Sequence, residues 1–463
     1  MSAFGTVVHL IYLGCASAFV IGLHLMNAPA TARRGNRVSA AGMGVAILVT
    51  LAVLIDDGRI NAYAAWALGL GTAAGTVAGL VAARVVRMTA MPQLVSLFNA
   101  VGGGAAALIA LGDHPATTQA EVTGVLDVLI GALTFSGSLI AAGKLAGRVP
   151  GRPLVVPYGR AVSVVLALLA AVMAVLVIGF DGGTPALWGA AVVALAAGVL
   201  LTLPIGGADM PVVISLLNAC TGTAVAMAGF VLGSTPLIIA GALVGAAGAI
   251  LTKLMADAMN RPIGAIIAGG YGTGDAVAVA AGSGSAPVRE ITADDAAIQL
   301  AYAGKVVIVP GYGLAAAQAQ HEAVALAQAL TERGVEVTYA IHPVAGRMPG
   351  HMNVLLAEAN APYEQLADLE ESNPGFARTD VVLVVGANDV TNPAARRPGN
   401  PVSGMPILDV DRAKSVIVIK RSLGHGYAGI DNELYTDART AMLFADAKAG
   451  LSALLAGLST YAR

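Results

Sequence analysis

One turn of this chain has the residue types and spacing to hold a nucleotide. An apolar run, Val306-Val307-Ile308-Val309-Pro310, leads into Gly311-Tyr312-Gly313-Leu314-Ala315-Ala316. A strand feeding a Gly-x-Gly turn that opens a helix is the start of a dinucleotide-binding unit. On that reading Gly311 permits the tight turn, Gly313 lets the backbone approach a pyrophosphate, and Ala316 lets helix pack on strand. The next strand ends in Ala340-Ile341-His342-Pro343-Val344-Ala345-Gly346-Arg347. No acid there could bond a ribose 2′-hydroxyl, and a cation follows, which points to NADP rather than NAD. Further on, Lys420-Arg421-Ser422-Leu423-Gly424-His425-Gly426-Tyr427 puts two cations and a hydroxyl at a strand end before a flexible turn. An Arg fork and a Lys point charge can grip a 2′-phosphate, and the alternative is a solvated basic turn. Asp389, taken alone, reads as a loop cap ordering the Asn388–Asn392 turn.

The elements that must position these groups are of two kinds. Hydrophobic residues make up 57% of the 463 and charged residues 12%, about half the charge usual in a soluble protein. The apolar excess lies before about Met255, where nine spans are predicted at 4–26, 38–55, 62–83, 91–111, 122–143, 161–180, 185–203, 211–232 and 235–252. Arg33, Arg34, Arg37, Arg84, Arg87, Lys144, Arg148, Arg152, Arg160, Lys253 and Arg261 all fall in alternate loops, and the opposite loops hold only Arg59. The positive-inside rule then sets the N-terminus outside and the C-terminal domain in the cytoplasm. The first span, with no Lys or Arg before it, reads as a retained helix rather than a cleaved signal. Cys15 and Cys220 read as buried small hydrophobes. A net charge of -2 argues against a nucleic-acid partner.

The apolar half repeats itself. Met91-Pro92-Gln93-Leu94-Val95-Ser96-Leu97-Phe98-Asn99-Ala100 matches Met210-Pro211-Val212-Val213-Ile214-Ser215-Leu216-Leu217-Asn218-Ala219, and Gly103 matches Gly222. Both copies start at the inner face, so the repeat is parallel. Gly71, Gly75 and Gly79, and again Gly241 and Gly245, recur every four residues and predict close helix approach. The Gly/Ala/Ser-rich stretch 261–286 reads as a flexible linker. Beyond it, strands are expected at 305–309, 335–341, 380–385, 406–410 and 415–420, and helices at 314–333, 350–360 and 437–457. The expected fold is thus a multi-span α-helical membrane domain over 1–260 followed by an α/β Rossmann-like domain over 287–463, with a mostly parallel sheet.

Four segments carry a resemblance: Pro310-Gly311-Tyr312-Gly313-Leu314; Val344-Ala345-Gly346-Arg347-Met348-Pro349-Gly350-His351-Met352-Asn353; Gly386-Ala387-Asn388-Asp389; and Lys420-Arg421-Ser422 with Gly426-Tyr427. They resemble the NADP(H)-binding domain of proton-translocating nicotinamide nucleotide transhydrogenase. With the spans and the closing Phe444-Ala445-Asp446-Ala447-Lys448, the resemblance covers essentially the whole beta subunit. It implies NADP(H) lying flipped relative to ordinary Rossmann enzymes. Around it would lie Gly311 to Leu314, the 344–349 loop, the 386–390 loop ending at Val390, Gly404-Met405, the 420–427 lid, and Asp446 with Ala447. It also implies that Asp389 couples nucleotide state to protonation, and that Asn218 and Asp209 lie on a proton path. Asn99 departs from the pattern, because some bacterial members carry a histidine there and an amide cannot titrate near neutral pH. A histidine from a partner subunit, His9, His24 or Asp127 could substitute.

One nucleotide fold cannot transfer hydride between two nicotinamides. The resemblance therefore implies NAD(H) on a separate alpha subunit, a dimer of alpha-beta units, and a bacterial inner membrane location. Two rivals are a nucleotide-regulated ion channel or transporter and a membrane-anchored NADP dehydrogenase. The latter would need an acid–base pair at a substrate pocket, and none stands out in the sequence.

Overall fold

The computed structural model describes residues 3–26, 29–56, 58, 60–87, 90–112, 117–150, 154, 156–180, 183–206, 209–259, 262–268, 288–346, 350–400, 402–424, 426 and 428–460. Among these, nine helices are long and apolar enough to cross a membrane. They are α1 (Ala3–Leu25), α2 (Pro29–Asp56), α3 (Ala62–Val85), α4 (Met91–Gly112), α5 (Thr118–Leu145), α6 (Gly159–Gly179), α7 (Gly183–Thr202), α8 (Met210–Val231) and α9 (Thr235–Ala258). Asn61 and Thr117 cap α3 and α5 by accepting from Ala64 and Ala120 N–H, which satisfies donors that have no partner within the helix. The second helix begins nine residues earlier than the apolar run, because Arg33, Arg34 and Arg37 are good helix formers outside the span.

The chain forms two compact units, Met1–Pro204 with Val213–Leu251, and Ile205–Val212 with Thr252–Arg463. In the first, α5 packs between α4 and α7. The repeat is visible as geometry. Both matched helices start at the matched methionine and run 22 residues. Gly103 faces Gly131 and Thr134 on the following helix, α5; its counterpart Gly222 faces Gly241 and Gly245 on the helix that follows α8, namely α9. A Cβ at Gly222 would collide with the α9 backbone, and one at Gly103 would press on the Thr134 side chain and Gly131 O. By contrast α3 has no buried residue, and Gly71, Gly75 and Gly79 meet nothing within 4 Å. The expected close helix approach holds for Gly241 and Gly245 and fails, within this chain, for α3. Cys15 is buried as expected, whereas Cys220 is half-buried.

The second unit holds α10 (Ile263–Ala268), a short helix within the expected linker, whose residues 261 and 269–286 lie outside the described residues. There follow α11 (Ala293–Ala301), β1 (Lys305–Pro310), α12 (Tyr312–Ala316), α13 (Gln320–Thr331), β2 (Glu336–Ala340), α14 (His351–Glu358), β3 (Leu366–Ala367), α15 (Leu369–Ser372), β4 (Val381–Val385), β5 (Ser415–Lys420), β6 (Thr440–Phe444) and α16 (Ala447–Thr460). The six strands form one parallel sheet in the order β3-β2-β1-β4-β5-β6. Strands β1, β4 and β5 are apolar almost throughout because both faces are covered. The order reverses between β1 and β4, and the crevice at their carboxyl ends is where such sheets bind ligands.

Three expectations need correction. Residues 406–410 form no strand: Ile407 and Leu408 are buried, but side chains and loops satisfy their backbone, with Ile407 O accepting from Asn373 Nδ2 and Leu408 N–H donating to Val390 O. Residues 437–457 are not one helix, since Thr440–Phe444 pairs with β5 and only Ala447–Thr460 is helical. Helix 314–333 is broken at 317–319, where Gln318 takes φ 52°.

Candidate nucleotide site and polar membrane residues

The turns after β1 and β4 are packed backbone on backbone. Gly311 N–H donates to Val385 O and Gly313 N–H to Gly386 O, both at 2.9 Å. A Cβ on Gly313 would stand 2.6 Å from Gly386 Cα, and Gly386 itself has φ +65°. The glycine at 313 thus makes a loop-on-loop contact, with its N–H engaged by Gly386 O. Leu314 and Ala447 are buried, so their side chains belong to the core; Tyr312 is half-buried at the start of α12.

Across the crevice, Lys420 at the end of β5 is a hub. Its Nζ donates to Gly424 O and to the Asn388 side-chain oxygen at 3.2 Å, and stands 4.7 Å from the centre of the Tyr435 ring. The Asn388 amide is assigned the orientation that satisfies both ends: its oxygen also accepts from Gly426 N–H at 2.6 Å, and its nitrogen donates to Tyr435 Oη at 3.0 Å. Tyr435 Oη in turn donates to Ala387 O at 3.4 Å. The Asp389 carboxylate accepts from Ala428 N–H at 3.1 Å. It therefore ties the β4 loop to the chain at the end of the lid. Burial lowers the pKa of Lys420, while the charges of Asp389 and Asp431 hold it up.

Arg421 points elsewhere. Its guanidinium pairs with Asp446 at 3.1 Å, and Asp446 also accepts from Lys448 N–H at the start of α16. The two cations expected to share one phosphate thus have different partners. A second cluster forms at the end of β2. Buried His342 accepts from Val344 N–H on Nδ1 at 3.2 Å, and its Nε2 lies 2.7 Å from Pro406 O, as a neutral imidazole donating there requires. It links the 344–346 stretch to the segment after Gly404-Met405. Gly346, at φ +98°, leaves room for the His351 ring. Arg347, Met348, Pro349, His425 and Tyr427 lie outside the described residues.

Sequence reasoning missed His342, Asn432 and Tyr435. Asn432 Nδ2 donates to Asn388 O at 3.0 Å, closing the network from behind. None sits in a recognisable motif, and only the fold brings 432–435 against 387–389.

The chain matches the NAD(P) transhydrogenase beta subunit family over residues 8–457. It is 48% identical over 454 residues to NAD(P) transhydrogenase subunit beta of Rhodospirillum rubrum, covering 94% of this chain and 96% of that protein. The same protein from a named strain of that species matches equally. The chain belongs to the NAD(P) transhydrogenase beta subunit family. It is accordingly part of an enzyme that uses nicotinamide nucleotides, and its nine apolar helices make it an integral membrane protein.

In this family member, the polar membrane residues fall as follows. Asn99 is buried on α4; its Nδ2 donates to Ile214 O and its own carbonyl accepts from Thr221 Oγ1, both at 3.2 Å. Asn218, half-buried, stands one turn beyond Ile214 on α8, so Asn99 adjoins its turn. Asp209 lies just before α8, with its N–H donating to Gly206 O at 3.1 Å.

Proposed function

We propose that this chain binds NADP(H) in its C-terminal domain, 287–463, and couples hydride exchange with NAD(H) on an alpha subunit to proton movement through 1–260. The observation that carries the reading is the crevice between β1 and β4, closed on one side by the Lys420–Asn388–Asp389–Ala428 network. The charge pattern supports a phosphorylated ribose there: Lys420 stands at the end of β5, and the end of β2 carries no acid. When bound, NADP(H) supplies the hydride chemistry itself. The protein residues orient it and set its release. Lys420 supplies positive charge for a phosphate, Gly311, Gly313 and Gly386 fix the turns that face it, and Asp389 holds the lid in reach. Gating by Asp389 converts protonation into nucleotide affinity through linkage. The loop charges support an outside N-terminus and a cytoplasmic C-terminal domain, joined through 261–286. Membership of the family supports assembly with an alpha subunit, and the proposal places the complex as a dimer of such pairs in a bacterial inner membrane.

The test is nucleotide binding by the full chain in detergent. NADPH should bind at least tenfold more tightly than NADH, about 1.4 kcal/mol, and Lys420→Ala/Arg421→Ala should abolish the preference. Equal binding of the two nucleotides would overturn the cofactor assignment.

A further inference from the structure

Helix α5 carries a buried carboxyl for which the network above has no use. Asp127 is 0% exposed, and neither of its oxygens has a hydrogen-bond partner among the described residues. Its position on the helix says what it faces. Residues three and four away share its side. Gly124 lies nearest Val231 of α8, Ile130 packs with Ala106 of α4 and Ala224 of α8, and Gly131 abuts Gly103 on α4. Asp127 therefore points into the seam between α4 and α8. Buried Thr134 and Ser138 continue the same stripe at seven and eleven residues, on the order of 10 and 16 Å along the axis. Beside them on α4, Ser96 donates to Ser138 O at 2.9 Å, and Asn99 is one turn further along.

Among the described residues, no counter-charge faces this carboxyl. Helices α4, α6, α7 and α8 contain Arg160 and Cys220 as their only ionisable side chains, with Arg160 at the first turn of α6. On α5 itself, Glu121 lies six positions away on another face, and Lys144, roughly 25 Å along the axis, donates to Leu203 O. An ionised carboxylate without a cation in an apolar interior costs several kcal/mol, so the resting form is the neutral acid and the charge is transient. The amide of Asn99 and the hydroxyls of Thr134 and Ser138 can pass a proton along hydrogen bonds but cannot hold one near neutral pH.

We propose that Asp127 is the proton-binding group of this membrane unit, gaining a proton on a carboxylate oxygen and losing it along the Thr134–Asn99–Ser138 stripe. The proposal rests on the reading that this chain couples hydride exchange to proton movement, and it fills the role that Asn99 cannot.

The full chain and its alpha partner, reconstituted in vesicles, test it with Asp127→Asn, which is isosteric, and Asp127→Glu. Pumping, read with a pH-sensitive dye, should fall more than tenfold in Asp127→Asn, persist in Asp127→Glu, and leave NADPH binding unchanged. Infrared difference spectra of the full chain during a pH titration should show a carboxylic C=O band that Asp127→Asn removes. Parent-level pumping by Asp127→Asn, or loss of pumping with that band unchanged, would overturn the proposal. If the parent complex does not pump at all, the functional reading fails, and the infrared band alone still decides whether Asp127 exchanges a proton.

Discussion

Asp389 and Ala428 are 39 residues apart in sequence, yet the carboxylate of one accepts from the N–H of the other at 3.1 Å. Gly426 lies so close that any Cβ there would meet both carboxylate oxygens. The β4 loop and the lid are thus joined through one acid, which also supports the charge of Lys420.

Replacing that acid should separate its two tasks. Asp389→Asn keeps an oxygen for Ala428 and removes the negative charge, so stability should change by less than about 1 kcal/mol. Nucleotide phosphates would no longer face a carboxylate, and NADPH should leave about threefold more slowly or slower still. Stopped-flow release of NADPH from the full chain decides it; faster release than from the parent would refute the electrostatic argument.

A second outcome concerns pH. Burial, opposed by the bond to Pro406, pulls the pKa of His342 down from its ordinary 6.5 to about 4. Between those values the unfolded chain binds the proton that the folded chain refuses, so stability falls as pH drops from about 6.5 toward 4 and levels below it. The shift is worth about 3 kcal/mol in all. Hydrogen exchange of β4 and β5 in the full chain, corrected for intrinsic rates, should show about 2 kcal/mol of that loss between pH 7 and pH 5, and His342→Gln should flatten it. An equal slope in the variant would assign the effect to other groups.

Much of this fold is legible in the chain because apolar length and strand runs are local signals. Val306–Val309 and Val381–Val385 are buried on both faces and read as strands without tertiary help. Thr440–Phe444 does not, because Ala441, Met442 and Leu443 favour a helix by themselves and become a strand only by pairing with β5. The site divides in the same way. Gly311, Lys420 and Asp389 stand at strand ends where the pattern points, whereas Tyr435 and Asn432 reach the site through a loop whose course no local rule specifies. At Gly313 the Gly-x-Gly turn alone does not reveal whether the missing side chain makes room for a ligand or for another loop, and the fold shows the second of these contacts.

That last distinction is testable. Gly313→Ala places a methyl against Gly386 Cα, and neither backbone can yield without disturbing the bond from Gly313 N–H to Gly386 O. Overpacking of this kind costs about 1–3 kcal/mol, so the variant should unfold earlier even without nucleotide. Thermal unfolding of the full chain measures it. Unchanged stability combined with lost NADPH binding would instead favour the reading in which Gly313 faces the pyrophosphate.

The repeat makes a paired prediction in the membrane unit. Gly222 faces the backbone of Gly241 and Gly245, whereas Gly75 on α3 has open space around it. Gly222→Val would drive α8 and α9 apart, and since neither helix can shift without losing contacts along its length, the cost should reach about 3 kcal/mol. Gly75→Val meets no neighbour within the chain and removes a poor helix former, so it should be neutral to within about 0.5 kcal/mol. Thermal unfolding of the detergent-solubilised chain without its partner gives both values. A matching loss from Gly75→Val would mean that α3 packs against the rest of the unit, contrary to its exposure here, and equal tolerance at Gly222 would remove the basis for the α8–α9 pairing.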